Sequence, residues 1–169
     1  YWQSLGLGFG SLEQGAVGAA INSGASVPVV WLVNIPNRIS CSTLAFNVTT
    51  ACNGGLASMG LYDATGASLL ITSGAVNVAT TGVKTITLSS STILESNYYL
   101  AAFVSNLSGV LFDGLGVDGN ARTILNSLFP RIGTAANNAS AGTLPTSVGA
   151  ISTGAGALEI ALFCINAPA

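Results

Sequence analysis

The chain has no histidine, and only 6% of its 169 residues are charged. An ordinary soluble domain carries about 25%. Four Lys and Arg against six Asp and Glu leave a formal net charge of −2. Each shortage narrows the function. Without histidine, the common Ser-His and Cys-His nucleophilic arrangements are absent. A Ser-Lys pair would have to use Lys84, the single lysine. Lys84 stands mid-strand in GVKTITLS, where a solvated face is the plainer reading. Arg38, Lys84, Arg122 and Arg131 make no basic patch, and nucleic-acid binding depends on many phosphate contacts. Uninterrupted apolar runs such as 29–33 and 160–165 fall far short of the about 20 residues of a spanning helix. Alternating segments could imitate barrel strands, but no aromatic girdles mark their ends. The expectation is therefore no nucleic-acid partner and no membrane insertion.

Carboxylates are equally scarce. A glycosidase pair would have to come from Glu13, Asp63, Glu95, Asp113, Asp118 and Glu159, of which only Asp113 and Asp118 are close neighbours. The run FDGLGVDGN gathers Asp113, Asp118 and Asn120 among glycines, an oxygen set of the kind Ca²⁺ takes. It lacks the ligand ladder of an EF-hand loop, and Asp-Gly is a common turn dipeptide. The expectation is no catalytic residue and no cofactor, with Asp113, Asp118 and Asn120 as the calcium candidates. Cys41, Cys52 and Cys164 are an odd set without metal-ligand spacing. Cys41 and Cys52 could pair; the plainer reading is three buried small hydrophobes. Sequons occur at Asn47, Asn106 and Asn138, and matter only in a secretory pathway that glycosylates. Trp2 and Trp31 could stack on sugars, but Trp31 sits in the most apolar stretch and reads as core.

What the chain does have is apolar and small. Half of it is hydrophobic, with 21 glycines and a mean hydropathy of +0.65. Ala, Val, Leu and Ile diluted by Gly, Ser and Thr is the profile of short strands joined by tight turns. The length suits one domain with a sizeable core. Residues 1–26 are Gly- and Ala-rich without clear periodicity, and read as an arm that docks on its own domain or on a neighbour. The chain opens at Tyr1 without a charged leader, which reads as a processed or excised piece.

From Val27 the pattern turns to strands, expected near 27–35, 39–50, 56–63, 67–72, 83–89, 98–105, 110–113 and 157–165. VPVVWLVNIP and YYLAAFV are apolar on both faces, as central strands are. ISCSTLAFNVTT alternates, as a half-buried antiparallel strand does. Asn53-Gly54-Gly55 and Asp63-Ala64-Thr65-Gly66 mark turns. Strands at roughly 8–12-residue spacing favour a sandwich or closed barrel. The expected core includes Val30, Leu32, Leu44, Phe46, Val48, Leu61, Ile86, Leu88, Leu100, Phe103, Ile160 and Leu162. The break is a long irregular segment near 119–155, with a helical turn in GNARTILNSLF, expected at an interface or a distal tip.

The order of four stretches carries a resemblance. Phe46 to Ala51 (FNVTTA) precedes the hairpin Gly60 to Gly66 (GLYDATG). Thr81 to Leu88 (TGVKTITL) and Tyr98 to Ala101 (YYLA) follow, then a Gly- and Ala-rich loop with Gly142 to Pro145 (GTLP) and the apolar run LEIALFCI. Over about residues 27–165 this resembles β-sandwich domains of bacteriophage tail fibres and related virion proteins. The resemblance implies an all-β, single antiparallel, jelly-roll-like sandwich at 27–169, homotrimeric, non-enzymatic and displayed on the virion surface. It implies an attachment (receptor-binding) head that meets other virion proteins and a host glycan or protein. It supplies no fixed set of site residues. The alternatives are a capsid decoration protein bound to the shell, and a bacterial or archaeal surface adhesin or filament subunit donating its arm as a strand.

Overall fold

A computed structural model describes residues 26–117, 127, 132–153, 158–161 and 163–166, with side chains described for 26–114, 127 and 132–153. Strands in chain order are β1 (Val29–Ile35), β2 (Ile39–Thr50), β3 (Leu56–Asp63), β4 (Leu69–Thr72), β5 (Val76–Asn77), β6 (Gly82–Leu94), β7 (Asn97–Ser105), β8 (Leu111–Phe112), β9 (Gly114–Val117), β10 (Ile132–Ala135), β11 (Ile151–Ser152), β12 (Leu158–Ala161) and β13 (Phe163–Asn166). One antiparallel sheet runs β11-β10-β1-β7-β3-β4, with β5 also beside β3. A second runs β13-β2-β6, with β8 also on β2. β9 and β12 form a two-stranded ribbon. The fold is all-β, with two antiparallel sheets in contact.

Sequence pattern explains which strands are central. β1 and β7 are apolar at odd and even positions alike, and they are neighbours inside the larger sheet, in register from Val29↔Phe103 to Ile35↔Asn97. Such strands must be buried on both faces. β2 alternates from Thr43 onward, burying Leu44, Phe46 and Val48, and before its register slip it also buries Cys41. The turn between β3 and β4 closes on Asp63. Its Oδ1 accepts bonds from the Thr65 amide at 2.9 Å, the Thr65 hydroxyl at 2.6 Å and the Ala67 amide at 3.1 Å. Those donors hold the Asp63 carboxyl below its ordinary range, the Thr65 hydroxyl most of all.

The main core lies between the two larger sheets. Odd residues of β1, β3 and β7, among them Trp31, Val33, Met59, Leu61 and Phe103, meet Leu44, Phe46 and Val48 of β2 and Phe112 of β8. Phe46, Phe103 and Phe112 form an edge-to-face trio with centroids 4.5 to 5.7 Å apart. Each such pair adds about 0.5–1.5 kcal/mol beyond its area.

A second core covers the other face of the larger sheet. Val30, Tyr62, Leu100, Ala102 and Val104 pack under Ala135, Ala139, Leu144 and Val148. Residues 136–150 thus roof their own sheet. The roof is tied down by Ala139 N to Ser26 O at 2.8 Å, Val148 N to Gly66 O at 2.9 Å and Leu69 N to Thr146 O at 3.0 Å. A two-residue turn folds it at Ala141 (φ 48°) and Gly142 (φ 72°), where Ser140 and Thr143 exchange backbone bonds. Both central residues are left-handed, the backbone of a type I′ turn. Gly66 (φ +75°) lets the roof come close, since a β-carbon there would collide with the Val148 side chain.

Several expectations are corrected. The segment near 119–155 is not one irregular loop, because 132–135 and 151–152 are strands added to the sheet edge. Its described part lies on its own sheet, held by Leu144 and Val148. Val30 and Leu100 are core residues as expected, in the cluster under the roof. Leu32 is half-buried there, and Ile86 and Leu88 are half-buried at the margin of the main core. β6 runs on to Leu94, past the expected end at 89. Lys84 stands opposite Phe46, so it shares the core-side face and not the solvated one. The arm at 1–25, the helical turn in 119–129, Leu162 and the Ile160 side chain lie outside what is described.

Candidate functional site

Of the calcium candidates, Asp113 alone is described. Asn47 Nδ2 donates to Asp113 Oδ2 at 2.6 Å, and Asp113 N bonds Asn47 O at 3.2 Å. These bonds fix Asp113 beside β2; Asp118 and Asn120 lie outside the described residues. Among the described residues, no three His, Cys, Asp or Glu side chains converge on a metal position. Glu95 pairs with Arg38 at 3.0 Å on an exposed surface, where an ion pair contributes little. Asp63 is engaged in its turn. Glu13 is outside the described residues, and Glu159 falls in β12 opposite Gly116.

The other candidates resolve similarly. Lys84 Nζ donates to Thr80 Oγ1 at 2.7 Å. Cys41 is fully buried in the main core and Cys52 is half-buried, and no bridge joins the two. Cys164 lies in β13 opposite Ala45. Trp31 is 2% exposed, a core residue as expected. Of the sequons, Asn106 is occupied structurally, since its Oδ1 accepts from Leu56 N at 2.7 Å. Asn138 is exposed on the roof.

Two features had not been singled out from the sequence. The first is Tyr62, fully buried beneath the roof, whose hydroxyl donates to the Pro145 carbonyl. Burial pushes its pKa up to about 12. The second is the outward face of β2 and β6. Thr43↔Thr87, Ala45↔Thr85 and Asn47↔Val83 are opposite pairs, and opposite residues share a face. That face is the reverse of the one bearing Leu44 and Phe46. Thr85 and Thr87 are exposed, and Val83 is 69% exposed. The signal was legible in V-K-T-I-T-L-S, where exposed Val83, Thr85, Thr87 and Ser89 alternate with half-buried Lys84, Ile86 and Leu88.

Chemically, this face offers neutral hydroxyls, an amide and methyl groups on a pleated strand pair. Its Asn47 amide is already engaged by the Asp113 carboxylate at 2.6 Å, and the exposed Thr85 and Thr87 are left to exchange hydrogen bonds while Val83 offers methyls to bury. Comparison with protein-family models, with curated proteins and with solved structures finds no match.

Proposed function

We propose that this chain is a non-enzymatic structural protein of a bacteriophage virion, the attachment head of a tail or head fibre. The carrying observation is the open face of β2 and β6, with Val83, Thr85 and Thr87 exposed, set on a rigid two-sheet body whose opposite outer face is already roofed. In this reading the two sheets form a jelly-roll-like sandwich, and three copies associate as a homotrimer. The order of sequence elements described above supports the virion reading. The mechanism is avidity: several weak sites on one rigid scaffold hold a host glycan or protein far more tightly than one site does. With few ions on the surface, association of the copies is nearly insensitive to salt.

The test uses the parent particles and the purified chain. Antibody raised against the chain labels fibre tips, and the purified protein competes with the particles for adsorption to their host. Label spread over the capsid shell, or on a cell envelope without particles, overturns the proposal. So does adsorption unaffected by saturating protein.

A further inference from the structure

The chain crosses from the smaller sheet to the larger through a tight turn. β2 ends at Thr50 and β3 starts at Leu56. Between them Gly55 N donates to Cys52 O at 2.9 Å, which closes a four-residue turn with Asn53 and Gly54 at its tip. Gly54 has φ +76° and Asn53 is not left-handed, the pattern of a type II turn.

The base of this turn is held. Val78 N donates to Gly55 O at 3.0 Å, and Cys52 N donates to Val78 O at 3.4 Å. Gly55 is packed so closely that a β-carbon there would stand 2.9 Å from the Val78 side chain and 3.0 Å from that of Val110. Asn106 braces the far side. Its Oδ1 accepts from Leu56 N at 2.7 Å, and its Nδ2 donates to Gly54 O at 3.3 Å.

The tip is free where the base is not. Asn53 and Gly54 are both exposed, and a β-carbon on Gly54 would meet nothing within 4 Å. Among the described residues, nothing hydrogen-bonds the Asn53 side-chain amide or the Gly54 N–H. The side chain is free to rotate onto the following amide, and that amide is open to hydroxide from solvent. Glycine at the next position leaves the approach unhindered. Other asparagines differ on one count or the other. Asn47 is bonded to Asp113, Asn106 braces this turn, and Asn137 donates to Ser147. Asn138 is exposed but precedes alanine, and no other asparagine of the chain precedes glycine.

We propose that Asn53 is a site of spontaneous deamidation, driven by its own backbone. Gly54 N gives its proton to hydroxide and attacks Asn53 Cγ. The new N–C bond closes a five-membered succinimide, and the side-chain nitrogen takes a proton from water and leaves as ammonia. Water then opens the ring. Attack at Cγ breaks the new bond and leaves aspartate at 53. Attack at the main-chain carbonyl breaks the original peptide bond and leaves isoaspartate. The balance is one water consumed and one ammonia released. Each event adds a negative charge to a chain whose formal net charge is −2. Isoaspartate also inserts one extra main-chain carbon between ends that Val78 holds in place.

The test is incubation of the folded full chain in mildly alkaline buffer, read by isoelectric focusing and peptide mapping. The expected result is a shift of one negative charge, mapped to residue 53 as a mixture of aspartate and isoaspartate. Asn53→Gln, whose ring would be one atom larger, is expected to lose the shift. A loop tip opens at little cost, so the folded chain is expected to react within about tenfold of the rate of the chain unfolded in urea. No shift, a shift mapped to another asparagine, or one that persists in Asn53→Gln overturns the proposal. So does a folded chain that stays unchanged while the unfolded chain reacts at residue 53.

Discussion

The two outward faces of this protein meet water in opposite ways. On the larger sheet the outward residues Val30, Tyr62, Leu100 and Val104 are apolar or aromatic, and the chain spends residues 136–150 covering them. On the smaller sheet the outward residues include Thr43, Asn47, Thr85 and Thr87, and no described segment covers the β6 side. Both solutions use little charge, the Asp113 carboxylate held by Asn47 being the exception. A strand buried on both faces needs a roof, because an exposed apolar patch of that size invites association. A strand with hydroxyls outward needs none. The scarcity of ions thus has two structural origins.

Substitutions that lift the roof should carry the largest cost. Gly66→Ala adds a β-carbon into Val148 at a left-handed backbone position. It is expected to destabilise by about 2–4 kcal/mol, read from the urea midpoint. An unchanged midpoint would mean that the roof is not pressed onto the sheet.

Tyr62→Phe leaves the Pro145 carbonyl without its donor, and should cost about 1–2 kcal/mol at neutral pH. The same residue sets an alkaline limit. Its folded pKa is raised to about 12, above the ordinary 10.0, so the folded state holds the proton more tightly. The stability this gives is complete below pH 10 and declines as pH rises through 12, by about 2–3 kcal/mol in all. Denaturant titrations from pH 9 to 12 should show that decline in the native chain and a much smaller one in Tyr62→Phe.

A smaller change sharpens the comparison in the other direction. Ala141 adopts φ 48° in the roof turn. Asn-Gly is the preferred pair of such a turn. Ala141→Asn is expected to stabilise by up to about 1 kcal/mol, measured by the same urea titration. A loss of stability would show that the turn is not the two-residue form described.

Much of this architecture was legible in the sequence. β2 and β3 begin and end where alternation and turn residues placed them, and the Asp63 hairpin follows from its Asx chemistry. β1 and β7 announced themselves as central by being apolar on both faces. The roof did not. Between Ala136 and Ala150 its anchors, Ala139, Leu144 and Val148, follow neither a twofold nor a helical period, so no pattern marks them as core. Their burial depends on contacts with β3 and β7, which are distant in sequence. β10 and β11 were missed for a related reason, since short strands are defined by their partners rather than by their own residues. Lys84 misled because a charge in an alternating strand normally faces water. Here its register opposite Phe46 decides the face, and a nearby Thr80 hydroxyl receives the ammonium. The candidate site was missed because threonine alternation reads as ordinary strand surface until the sheet order shows which face stays uncovered.

The most direct test of the contrast is competition for host adsorption by two double-lysine variants of the purified chain. Val83→Lys with Thr85→Lys charges the open face, and Ala136→Lys with Ser140→Lys charges the exterior of the roof. The account predicts that the first pair no longer competes with the particles, with stability changed by less than about 1 kcal/mol. The second pair should compete as the native chain does. Competition that survives lysines on the open face, or that is lost when the roof is charged, would contradict it.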